Sequence, residues 1–131
     1  MDHSDYSIAQ LLMLAETKVE ASEEGEITAQ LDALREAWSL LFSALSKSYQ
    51  RPITQVQSLT NLTDIPAELS ELCRAAQPGN WLYRLFNVHA YSANVIGRSS
   101  TEAPLTQTDI ELIRHQTTTV IELLSASFEE C

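Results

Sequence analysis

The side chains able to do chemistry in this chain are few and widely spaced. Arg84 and His89 stand five residues apart in Arg84-Leu-Phe-Asn-Val-His89. Imidazole titrates near neutral pH, so His89 can exchange a proton. On one ideal helix the two side chains point about 140° apart, so a dimer cleft is needed to gather them. Glu111 and His115 are four apart, a spacing that places both on one helix face, and Cys73 can approach His89 in a fold. No HExxH, no paired ExxH and no Cys/His cluster accompanies them, so no metal or other cofactor is expected. Glu16, Glu20 and Glu23 line one helix face but lack the compact loop that calcium sites use. Ser99 and Ser100 follow Gly97-Arg98, and no GxSxG, Walker-type or GxGxxG pattern is present. The Ser, His and Asp content therefore supports no triad.

These residues must be positioned by helices. In the segment 27–49, Leu31, Leu34, Trp38, Leu41 and Leu45 step by three and four, a spacing that fits one side of a helix and no strand. Ile8, Leu11, Leu12, Ala15 and Val19 form the stripe of a helix over about 5–22, with Ser4 or Asp5 near its cap. Its Leu11-Leu12-Met13-Leu14 turn is apolar nearly all round, which implies burial on two sides or a second subunit. Gly25 breaks that helix, and Arg51-Pro52 ends the next one. Residues 53–63 read as a loop with one helical turn. A short helix over about 65–76 turns its Leu69, Leu72 and Cys73 inward. After Gln77-Pro78-Gly79, Asn80 is placed to cap a helix running to about 96. That helix carries two stripes, Leu82, Leu85, Phe86, His89, Ala93 and Ile96 on one side and Trp81, Val88, Tyr91 and Val95 on the other.

The last helix has the strongest start signal. Thr106 and Asp109 have capping-box spacing, and Leu105 and Ile110 that of a hydrophobic staple. Ile110, Ile113, Thr117, Val120, Ile121, Leu124 and Phe128 follow on one side, a run able to pair with the Leu31–Leu45 stripe. The expected architecture is a single all-α domain over 1–131, an antiparallel up-and-down bundle of four long helices plus one short helix.

Length and composition agree with one domain. The chain has 131 residues, 44% of them apolar, enough for a core without disulfide staples. Eighteen acidic side chains against eight basic ones leave a formal charge of −10. Such a surface repels phosphate, so nucleic acid and anionic membranes are poor partners. The acidity concentrates in the first 36 residues, where a basic protein partner has its best footing. No apolar run approaches the ~20 residues needed to span a bilayer. The start MDHSDYS lacks the cationic opening of a secretion signal, and two isolated cysteines fit a reduced cytoplasm.

Two resemblances add to this reading. The R-x4-H spacing of Arg84 and His89 resembles that of HEPN proteins, helical nucleases and nucleotide binders. The resemblance implies that Arg84 stabilises phosphate charge and His89 acts as acid or base across a dimer cleft. HEPN motifs usually place a polar residue directly after the arginine, and here that residue is Leu85. From about Arg35 onward the chain resembles a family of small bacterial all-helical proteins, a domain of unknown function. The carrying residues are REAWSLLFSALSKSY (35–49), AELSEL (67–72), the Pro78–Trp81 step and the closing FEEC (128–131). That resemblance implies a helical bundle in a bacterial cytoplasm and brings no functional residues.

The expected function is a non-catalytic protein-interaction or regulatory module that self-associates as a homodimer, using surplus apolar surface on the 5–22 and 80–96 helices. The alternative is a HEPN-like nuclease or nucleotide binder using Arg84 and His89. Trp81, Arg84, Val88 and Tyr91, on the second face of the 80–96 helix, form the candidate ligand groove.

Overall fold

The computed structural model describes residues 6–61, 67–88 and 104–129. These are mostly helical, with no β-strand among them. Three long helices, α1 (Ile8–Ala21), α2 (Ile27–Tyr49) and α6 (Gln107–Glu129), make the frame. Three short ones, α3 (Val56–Thr60), α4 (Ser70–Ala75) and α5 (Trp81–Asn87), lie between α2 and α6 in the chain. A 3-10 turn at Ala67–Leu69 leads into α4.

The long helices begin and end where local chemistry directs. α1 starts after Ser7, because Ser7 and Gln10 form a complete capping box. The Gln10 backbone N–H donates to Ser7 Oγ at 3.1 Å, and the Ser7 N–H donates to Gln10 Oε1 at 2.8 Å. The cap therefore sits later than the Ser4 or Asp5 expected, and those two lie outside the described residues. Gly25, at φ 98°, makes the turn into α2. α2 covers the 27–49 segment expected and closes with Gln50 in the left-handed region at φ 53°. At α6, Asp109 N–H donates to Thr106 Oγ1 at 3.3 Å and Thr106 N–H to Asp109 Oδ2 at 2.9 Å. The staple pair Leu105 and Ile110 is fully buried.

Side-chain bonds set the order of the frame. α1 and α2 form a hairpin, with Lys18 Nζ 2.8 Å from Glu36 on the facing helix. Gln107 and Arg114 both reach Gln30, while Thr117 reaches Trp38. Numbers rise together on the two helices, so α6 runs in the same sense as α2 and opposite to α1. The stripe Leu31, Leu34, Trp38, Leu41 and Leu45 is buried, each residue no more than 1% exposed. α2 packs chiefly against α1, and α6 packs on both helices. The short α1–α2 connection makes those two helices antiparallel neighbours. Trp38 Nε1–H donates to Thr117 Oγ1 at 2.9 Å, and that hydroxyl donates to Ile113 O at 2.7 Å. A buried indole N–H is thus satisfied by a threonine placed on the apolar run of α6.

The region between α2 and α6 differs from expectation at one point that matters. The helix from Asn80 ends at Asn87, and Val88 is extended at φ −120°, ψ 139°. Residues 89–96 lie outside the described residues. Asn80 is the N-cap residue by position, yet its side chain makes no cap bond to α5. Its Nδ2 donates instead to Arg74 O at 2.6 Å, closing the end of α4. Gly79, at φ 88°, completes the Gln77–Asn80 turn, in which Asn80 N–H donates to Gln77 O at 3.1 Å.

Candidate functional site

Arg84 lies in the last turn of α5, with Nη1 3.6 Å from Asp109 Oδ1 at the start of α6. Asp109 already accepts from the Thr106 backbone N–H and from its hydroxyl at 3.0 Å. The backbone bond from Thr106 is the main reason its carboxyl is held below the usual range. Partial burial opposes that, and the Thr106 hydroxyl and the Arg84 charge assist it. Arg84 thus fastens α5 to the cap of α6. A phosphate ligand would compete with this carboxylate for the guanidinium. His89 and Tyr91 lie outside the described residues, so the approach of His89 to Arg84 is not part of the described geometry.

The other members of the expected groove take part in packing. Trp81 stacks at a tilt on Trp38, with centroids 5.8 Å apart, and Val88 is buried. Phe86 meets Phe42 at 5.8 Å, and Phe42 meets Trp38 at 5.6 Å. Trp81 and Phe86 of α5 therefore contribute to an aromatic seam against α2, which anchors a helix too short to stand alone.

Of the candidate metal residues, Cys73, Glu111 and His115 are described, and the expected approach of Cys73 to His89 lies outside the described residues. Glu111 and His115 are both exposed on α6. Cys73 is buried, and burial pushes its thiol up, away from the thiolate a metal needs. Among the described residues no group of three or more His, Cys, Asp and Glu side chains could hold a metal ion.

A groove of about 450 Å³ opens elsewhere, between α1 and α6. Glu16, Glu20 and Glu23 come from α1 and Glu122 from α6, around Val19, Ile121 and Ala126. Residues four and three apart on α1 present their carboxylates along one edge. Nearby cations are engaged elsewhere. Lys18 pairs with Glu36. Arg114 donates to Ser22 Oγ at 3.0 Å, Ser22 O at 2.6 Å and Gln30 Oε1 at 2.9 Å. Among the described residues no lysine or arginine lines the groove. Helical spacing already aligns the three α1 glutamates. The contribution of Glu122 depends on which helices are neighbours, and no local signal in the sequence marks α6 as the partner of that α1 face.

Exposed apolar side chains are scattered over the frame. Met13 is 68% exposed on α1, and Leu112 and Leu123 are 51% and 65% exposed on α6. In the expected Leu11–Leu14 turn, Leu11 and Leu12 enter the core, while Met13 and Leu14 remain outside. Among the described residues no helix is long and apolar enough to cross a membrane. No protein-family model, curated protein or solved structure matches the chain, so the geometry of these surfaces carries the functional reading.

Proposed function

We propose that this protein is a non-catalytic interaction module that receives a cationic segment of a partner protein in the α1–α6 groove. The observation that carries this reading is the pairing of Glu16, Glu20 and Glu23 with Glu122 around a concave surface lined, among the described residues, by no basic residue. Four carboxylates facing one cleft repel one another, and a lysine- or arginine-bearing segment relieves that repulsion. The formal charge of −10 adds long-range attraction for such a partner.

The test is fluorescence anisotropy with a labelled lysine-rich helical peptide, at rising salt. Binding is expected to weaken as ionic strength grows, because the Debye length falls to about 8 Å at physiological salt. The triple variant Glu16→Gln, Glu20→Gln, Glu23→Gln should lose most of the affinity. Glu71→Gln on α4, a carboxylate beside Arg74, should leave it unchanged. Equal free-energy losses per charge removed in the two variants would mean that net charge alone attracts the peptide, and the groove assignment would then fail.

Self-association is the second reading, motivated by the exposure of Met13, Leu112 and Leu123. Leu112 and Leu123 are eleven residues apart, about three turns, and so share one face of α6. Light scattering at high micromolar concentration tests it. A strictly monomeric protein removes the dimer and leaves the groove reading standing.

A further inference from the structure

Residues 88–96 contain neither glycine nor proline, and the stripes of 80–96 favour one continuous helix. Yet α5 stops at Asn87. A contact from outside the segment meets the carbonyls at the end of α5. Arg84 O accepts from Val88 N–H at 3.0 Å, an ordinary helical bond. Leu85 O is the acceptor that the next turn of an α-helix would use. It accepts from a side chain of another helix, Arg35 of α2, whose Nε–H donates to it at 2.8 Å. Nη2 of the same guanidinium donates to Val88 O at 3.3 Å. One planar cation thus holds a helical carbonyl and an extended one together, a geometry suited to the fixed fork of arginine.

We propose that Arg35 is a helix stop acting in trans: the length of α5 is set by a side chain of α2, and withdrawing that guanidinium lets Val88 turn helical and join α5. The Arg35 side chain is 34% exposed, with Asp32 3.9 Å away, so it can leave without crossing the core. α5 is then an element whose length depends on one removable contact.

The competing cause is Val88 itself, which is buried where it stands. Arg35→Met separates the two, because it keeps most of the aliphatic stem and removes every donor. Carbon-13 chemical shifts of the labelled full-length protein read the backbone at Val88 directly. The wild-type Val88 Cα should lie in the extended range, and in Arg35→Met it should move downfield into the helical range, with a gain in far-UV helical signal. The near-UV signal of buried Trp38 should persist. If Val88 stays extended in a folded Arg35→Met protein, burial of the valine makes the stop and the proposal is overturned. Should Arg35→Met fail to fold, hydrogen exchange at Arg35 Nε in the wild type decides. Protection well beyond that of the exposed Arg74 supports the contact, and exchange as fast as at Arg74 overturns it.

Discussion

The long-helix frame and the region between Arg51 and Val88 are built on different terms. α1, α2 and α6 run for 14, 23 and 23 residues, and each carries its own periodic stripe. α3, α4 and α5 have only five, six and seven residues, too few for stable isolated helices. α3 and α4 pack on each other and on α5, and α5 in turn packs on α2 and α6. Ser46 Oγ accepts from Ile53 N–H at 2.9 Å and donates back to Ile53 O. Phe42 meets Phe86, Trp38 meets Trp81, and Arg35 holds the end of α5. The frame is thus specified from within each element, while the second region depends on what the frame, chiefly α2, offers α5.

Mutations can break this division. Trp38→Ala removes the residue that both regions share and takes the indole donor from the Thr117 hydroxyl, which keeps its bond to Ile113 O. It should cost about 3–5 kcal/mol by chemical denaturation, and both regions should loosen together. A loss below about 1 kcal/mol would mean that the regions are held independently. Ser46→Ala comes next. It removes two bonds from one hydroxyl, which should cost roughly 1–2 kcal/mol. Hydrogen exchange should rise in residues 53–60 and remain slow in α1. Equal loosening of α1 would erase the distinction.

Asp109→Ala tests whether the frame keeps its own caps. Loss of the α6 capping box should cost about 1 kcal/mol at neutral pH. The sign of its pH dependence follows from the depressed carboxyl. Folding favours the ionised form, so the contribution is full above the unfolded pKa of about 3.9 and fades as pH falls through the lower folded value. Denaturation midpoints of wild type and variant should therefore converge in acid. A gap that persists at the lowest pH would assign the effect to packing. The smallest effect belongs to Lys18→Ala. The Lys18–Glu36 pair is half exposed, so its loss should stay within about 0.2–1 kcal/mol and shrink further in high salt.

Most of the frame was legible before any tertiary contact. The Leu31–Leu45 spacing marked the most buried helix, and Thr106 with Asp109 marked the start of α6 to the residue. These signals are local, since capping and periodicity act within a few residues of chain. The candidate site was legible only in halves. Glu16, Glu20 and Glu23 could be placed on one face, but the groove exists because α6 lies beside that face. Of the pair Arg84 and His89, the described half shows Arg84 beside Asp109, a contact spanning α5 and α6 that no spacing rule anticipates.

The sequence by itself determined an all-α chain with an acidic first third and a tryptophan at the centre of the Leu31–Leu45 stripe. Hydrophobic period, composition and caps are properties of neighbouring residues, so one strand of text holds them. Tertiary structure decided which helices touch, where α5 ends and which glutamates line one groove. Those outcomes depend on groups far apart in the chain, such as Arg35 with Leu85 and Trp38 with Thr117. Their positions are fixed only once the frame has closed and buried polar groups must find partners.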